Sequence, residues 1–201
     1  MKKLLAVLAV LMLAVPVLAW AEEAKPAEGP KEFIVYKDKG VRDNHYILSG
    51  WIGDYGDIKL NDQSAENPHS GTSAIQFTYS AKKSQGQGWA GVYWQNPANN
   101  WGSKKGGFDL TGMNKLTFWA RGAKGGEVIQ KFVVGGIKGA YPDTATVEMG
   151  PVELTDTWKQ YTINLAGKDL SYVSGGFGWT TTADLNQIGR ASCRERVYVL
   201  V

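Results

Sequence analysis

Few side chains in this 201-residue sequence are equipped for covalent chemistry. His45 and His69 are the two histidines and Cys193 the single cysteine, too few ligands for a zinc site. A Ser-His-Asp arrangement would have to use one of those histidines, and no Gly-x-Ser-x-Gly elbow presents a serine to it. Glu127, Asp143, Glu148 and Glu153 are dispersed singly, whereas glycosidase chemistry needs two carboxyls facing across a cleft. No glycine-rich loop opens a helix, so a phosphate cradle has no place to form.

Aromatic surface beside hydrogen-bonding groups is abundant instead. If Leu116, Phe118 and Ala120 of KLTFWARG (Lys115 to Gly122) face a core, Trp119 and Arg121 face outward together. An indole plane beside a guanidinium fork suits a pyranose, whose apolar C–H face stacks while its hydroxyls take hydrogen bonds. The alternative is a Trp119 covered by a loop and an Arg121 held in a structural ion pair. In GWAGVYWQN, Trp94 shares one face with Ala90 and Val92, and Trp89 and Tyr93 share the other. Alternation does not say which set is open; Trp94 is preferred because Gln95 and Asn96 place amide groups next to it. Trp179, closing GGFGW, and Tyr141, on the turn Tyr-Pro-Asp, would extend the platform, with a core or rim role as the alternative for each. Trp101, in Asn-Asn-Trp-Gly, reads as a rim contact or a loop plug. Asp54 and Asp57 stand three apart in a glycine-rich turn, and Asp38 and Asp43 flank another. Such carboxylates are hard-oxygen ligands suited to calcium, although the spacing is not that of an EF-hand and solvated loop acids are the alternative.

The elements that must position these residues are short strands. Charged residues at 20% and hydrophobic ones at 43% exclude a wholly disordered chain, and 25 Gly with 8 Trp, 9 Tyr and 6 Phe are unusual for a helical bundle. Apolar or alternating runs recur at 33–37, 44–51, 57–60, 72–80, 88–94, 115–122, 127–136, 158–165 and 173–179, with Gly, Pro, Asn and Asp at the joints. Roughly nine short strands without βα alternation predict an all-β fold, a two-sheet β-sandwich or barrel.

Both ends are set apart. Lys2 and Lys3, the apolar run Leu4 to Leu18 and the small-x-small sequence Ala19-Trp20-Ala21 read as a signal peptide over residues 1–21, which places the product outside the cytoplasm, secreted or periplasmic. Residues 22–32, rich in Pro, Glu and Lys, read as a linker. At the other end Ile188 to Val197, IGRASCRERV, resembles the read-through of a common short-read sequencing adapter, so residues 188–201 are set aside as an artefactual tail. The domain is then 33–187, and the VYVLV that ends the tail is β-prone by composition. Removing Lys2 and Lys3 leaves 20 basic against 19 acidic residues, and removing Arg190, Arg194, Arg196 and Glu195 leaves 17 against 18. That balance gives no electrostatic case for nucleic acid or an anionic membrane surface. With Cys193 in the tail, the domain has no disulfide.

NPHSGTSAIQF (Asn67 to Phe77) resembles the His-Ser-Gly segment of jelly-roll carbohydrate-binding modules with the galactose-binding-domain-like fold. KLTFWARG, the strand at Glu127 and TDTWKQYTINL (Thr155 to Leu165) are similar to that family in order and spacing, so the resemblance covers nearly all of 33–187. It implies a jelly-roll β-sandwich whose final strand is here missing or replaced, with VYVLV available to pair in its place, one structural calcium ion in many relatives, and a shallow site on one sheet. The expectation is therefore a secreted, non-catalytic, monomeric module that binds a poly- or oligosaccharide through Trp94, Gln95, Asn96, Trp119, Arg121, Tyr141 and Trp179, with Asp54 and Asp57 at a metal. It has no nucleic-acid partner and no membrane insertion after signal cleavage. A structural or adhesive envelope module is the alternative, and a small glycan hydrolase or lyase a third.

Overall fold

The computed structural model describes residues 32–186, together with the backbone of 195–200. The expected signal peptide, the linker up to Lys31, residues 187–194 and Val201 lie outside the described residues. Twelve strands run as β1 (Ile47–Gly53), β2 (Ile58–Ser64), β3 (Ala74–Tyr79), β4 (Trp89–Gln95), β5 (Lys115–Arg121) and β6 (Val128–Ile129). They continue as β7 (Lys131–Gly135), β8 (Thr146–Met149), β9 (Val152–Glu153), β10 (Lys159–Asn164), β11 (Gly175–Thr182) and β12 (Glu195–Leu200). A single 3-10 turn, Tyr55–Asp57, is the helical content of the described residues.

Two five-stranded antiparallel sheets form a β-sandwich. The first has the order β1-β4-β11-β7-β8 and the second β10-β5-β12-β3-β2; β6 and β9 make a separate two-stranded ribbon. The expected run 127–136 is divided at Gln130 into β6 and β7, and 33–37 is not a strand, although Val35 and Tyr36 are buried.

Period-two alternation sends one side of each strand into the shared core. Phe77 from the second sheet meets Trp179 at 5.2 Å, and Phe118 meets Phe177 at 4.9 Å and Phe132 at 4.5 Å across the interface. Trp94 closes the group against Phe177 at 5.3 Å. Tilted and edge-on pairs of this kind add about 0.5–1.5 kcal/mol each beyond the area they bury.

β12 comes from the segment set aside as a tail. Its backbone lies between β3 and β5, with Val197 opposite Phe77, Val199 opposite Ile75 and Tyr198 opposite both Gln76 and Arg121. Residues 195–200 thus occupy the middle of the second sheet.

Candidate functional site

The sandwich has two outer faces, and the second sheet's is roofed at the residues of interest. Alternation in β5 is as expected: Leu116, Phe118 and Ala120 are buried in the core, so Trp119 and Arg121 project from the other side. The connection between β2 and β3 crosses over them. His69 stacks on Trp119 with centroids 4.0 Å apart and meets the edge of Trp158 at 5.7 Å. Arg121 is buried; its Nη1 donates to Gly122 O at 3.1 Å, its Nη2 to Glu66 O at 3.3 Å, and its guanidinium lies 5.5 Å from the Trp158 ring centroid. Trp158 Nε1 donates to Asn67 O at 2.9 Å. The Trp119–Arg121 platform expected from the sequence is therefore an internal clasp: a guanidinium withdrawn from water must find carbonyls and an aromatic face, which Gly122, Glu66 and Trp158 supply, while His69 of the Asn-Pro-His-Ser-Gly loop covers Trp119. Trp119→Ala is expected to lower Tm by roughly 5 °C, about 2 kcal/mol, and to leave glycan retention unchanged in affinity gels.

On the first sheet the choice between the two parities of β4 is reversed. Trp94 and Trp179 are fully buried, pointing into the core with Val92, Ala90 and Phe177. Neither can meet a ligand; a surface indole would forfeit the inter-sheet packing just described. The opposite parity faces away from the core. Trp89 is 36% exposed, and Tyr93, two positions beyond Gly91 on the same face, is 9% exposed. At 3.4 Å per residue the two are about 14 Å apart along the strand. Trp101, 41% exposed, comes from the β4–β5 connection and packs edge-on to Tyr93 with centroids 5.6 Å apart.

The floor between these rings is nearly bare backbone. A β-carbon at Gly178 of β11 would lie 2.9 Å from the Tyr93 ring, one at Gly50 of β1 2.8 Å from Tyr93 Cβ, and one at Gly91 2.7 Å from Thr180 Cγ2. Tyr93 therefore lies flat across its neighbouring strand, in a position only glycine permits. Half-buried Ile52 and exposed Ile47 extend the same face on β1; Thr180 and Thr182 on β11, Lys131 on β7 and Glu148 on β8 give it polar groups. These residues were not assigned from the sequence, although Gly91, Gly178, Thr180 and Thr182 all share a parity too small or too polar for a core.

Three of the residues expected to touch a ligand instead hold the loops that border this face. Gln95 is fully buried: its Nε2 donates to Asn100 O at 3.0 Å, and its Oε1 accepts from Ser49 Oγ at 3.1 Å. Asn100 in turn accepts from the N–H groups of Gly102 and Lys104 and donates to Lys104 O, fixing the turn that bears Trp101. Asn96 donates to His45 O at 2.9 Å and accepts from Gly107 N–H. Tyr141 is half-buried on the β7–β8 connection, its N–H bonded to Gly102 O at 3.0 Å, so it stands at the border beside Trp101. Amides at 95 and 96 position the rim; they do not face outward.

The electrostatics follow from burial. Desolvation, then the charges of Glu148 and Asp143, push the Tyr93 phenol up to about 12, so it remains a hydrogen-bond donor at every ordinary pH. Glu148 pairs with Lys131 at 2.6 Å. Burial raises the Asp143 carboxyl above its usual range, opposed by N–H donors from Ser174, Ile137 at 3.0 Å and Gly175 at 3.2 Å. Asp54 is buried at the other end of the sheet. Burial pushes its carboxyl up, but N–H groups of Gln87, Gln85 and Gly88, at 2.6–3.0 Å, outweigh this and hold it below the ordinary value. These donors present positive ends where an ion would need lone pairs, so Asp54 anchors the turn that leads into Trp89. Asp57 is buried beside it, and its N–H donates to Asp54 O at 2.9 Å. Among the described residues no group of three or more His, Cys, Asp or Glu assembles that could hold a metal.

No protein-family model matches the chain, and no curated protein does. Solved structures do. The crystal structure of a family 30 carbohydrate-binding module superposes with TM-score 0.53 at 15% identity, covering 84% of each chain. The family 30 module of a cellulosomal cellulase from Clostridium thermocellum gives 0.52 at 15% identity, over 84% of this chain and 93% of that one. A further family 30 structure gives 0.51 at 15%, over 83% and 93%. With two antiparallel sheets on one aromatic core and no helix among the described residues, the chain has the β-sandwich fold of these carbohydrate-binding modules.

Proposed function

We propose that this chain is a non-catalytic carbohydrate-binding module that lays a poly- or oligosaccharide along the outer face of the first sheet, and that its apolar leader directs it out of the cytoplasm. One observation carries the reading: Trp101 stands 41% exposed on a turn built from buried amides, edge-on to Tyr93, which shares its strand face with Trp89 beside a row of glycines. An exposed indole is costly when a loop is organised to hold it up, unless something covers it. A pyranose does so with its C–H face, while Thr180, Thr182, Lys131, Glu148 and the Tyr93 hydroxyl offer donors and acceptors to its edge. The Lys131–Glu148 pair neutralises the acid, and the carboxylates at 127 and 143 are engaged with backbone N–H groups, Glu127 with Ala123 and Lys124. That arrangement favours binding over turnover.

Shallow, wet sites lose much of their contact energy to ordering, so affinity is expected in the micromolar to millimolar range, about −8 to −4 kcal/mol. Trp101→Ala should weaken retention roughly tenfold, about 1.4 kcal/mol, in native gels containing β-glucans, mannans or galactans, with an unchanged circular dichroism spectrum. If the parent protein is retarded by none of them, the sandwich is a structural or adhesive module; release of reducing sugar would make it an enzyme.

A further inference from the structure

The border of this face at the Trp101 end is basic. Lys104 and Lys105 follow Trp101 in the β4–β5 connection, Lys138 lies in the β7–β8 connection, and all three are exposed. The two connections are fastened together. Tyr141 N–H donates to Gly102 O at 3.0 Å, and Gly102 sits so close to Lys138 that a β-carbon there would lie 1.8 Å from the Lys138 carbonyl oxygen. Asn100 grips Lys104 through both its N–H, at 3.1 Å, and its C=O, at 2.9 Å. Lys105 Nζ reaches to 6.0 Å from the Tyr141 ring centroid. The three ammonium-bearing positions are thus set relative to Trp101 and Tyr141 rather than carried on free loops.

None of the three forms an ion pair with an acid among the described residues, unlike Lys39 with Asp62, Lys83 with Asp184 and Lys131 with Glu148. The acids of the same two connections are engaged: Asp143 by the N–H groups of Ser174, Ile137 and Gly175, and Asp109 by the N–H of Thr111 at 2.9 Å. Like charges gathered without counter-charge repel one another, and the positive potential they create falls on whatever leaves the Trp101 ring toward Tyr141. A neutral sugar gains nothing from that potential. An anionic substituent does, on a sugar laid against the exposed Trp101 ring.

The geometry points to recognition of an acidic glycan, in which a ring carrying a uronate carboxylate or a sulfate ester occupies the Trp101–Tyr141 end. This rests on the carbohydrate-binding reading and sharpens it. The test compares the parent with a Lys104→Gln/Lys105→Gln/Lys138→Gln variant in affinity gels and calorimetry. The probes are a neutral β-glucan and galactomannan, a glucuronoxylan and polygalacturonate, a sulfated galactan, and polyglutamate as a polyanion without sugar. The parent should bind an acidic glycan about tenfold more tightly than the neutral ones at low ionic strength, with the difference gone at about 1 M salt, where the screening length is about 3 Å. The triple variant should lose that difference while keeping the parent's Tm and its affinity for neutral glycans. Carboxylated and sulfated probes then identify which anion is read. Equal affinity for acidic and neutral glycans, an unaffected triple variant, or equal retention on polyglutamate overturns the inference and leaves the carbohydrate reading intact. Retention on no glycan at all overturns both.

Discussion

A chain ending at Gln187 is expected to give no soluble, cooperatively melting domain, because the second sheet would lose its middle strand. β12 is hydrogen-bonded to β3 on one side and to β5 on the other. Without it the sheet divides into β10-β5 and β3-β2, two narrow ribbons, each with a new unpaired edge. Exposed ladders of this kind template association between chains, and isolated two-stranded ribbons are marginal in water. A milder version keeps the length and places proline at 197 and 199, positions paired with Phe77 and Ile75. Proline at a central strand position removes a ladder donor, which β-sheets tolerate at edges and bulges only. Size-exclusion chromatography and thermal melts decide the matter: aggregates or a lost transition are expected, whereas a truncated monomer melting with the parent would show that residues 195–200 are dispensable.

The second large effect concerns the two tryptophans that the sequence placed on the ligand side. Trp179→Ala and Trp94→Ala should each destabilise the domain by about 3–5 kcal/mol, the usual cost of removing a fully buried large aromatic side chain. Both are entirely buried, and Trp179 joins the two sheets through Phe77 at 5.2 Å. At this chain length that corresponds to a fall in Tm of roughly 10–15 °C. Trp89→Ala, of the same type and in the same strand as Trp94, should cost under about 1 kcal/mol in denaturant titrations because its loss opens no cavity. Equal destabilisation by Trp89→Ala and Trp94→Ala would reverse the assignment of the faces.

That contrast shows how far the sequence could be read. Alternation correctly grouped Trp89 with Tyr93 and Trp94 with Val92, since parity is a property of the strand itself. Which group meets the core depends on the partner strands. The cue was in β11, where Phe177 and Trp179 alternate with Gly178 and Thr180; antiparallel pairing of Gly178 with Tyr93 then makes the open side of one strand the open side of the other. In β5 the parity was right and the role wrong, because nothing local announces that the Asn67–Gly71 turn will lie across Trp119. Gln95 looked like a ligand group because an amide beside an aromatic reads the same whether it faces a hydroxyl or the backbone of Asn100. β8 escaped notice because Thr146–Met149 is an edge strand with an exposed, weakly apolar pattern. Residues 33–37 show the reverse: they are apolar because Val35 and Tyr36 are buried, without any ladder to join.

The glycine floor has an entropic consequence. Gly50, Gly91 and Gly178 bring no rotamers to the surface a ligand would cover, and Tyr93 is already immobilised across Gly178. Each rotamer-rich side chain frozen at an interface forfeits about 0.5–1.5 kcal/mol of association free energy. A surface of peptide planes and pre-packed rings avoids most of that loss, so a modest number of contacts can suffice for recognition, and the freedom surrendered on binding is chiefly that of the incoming chain.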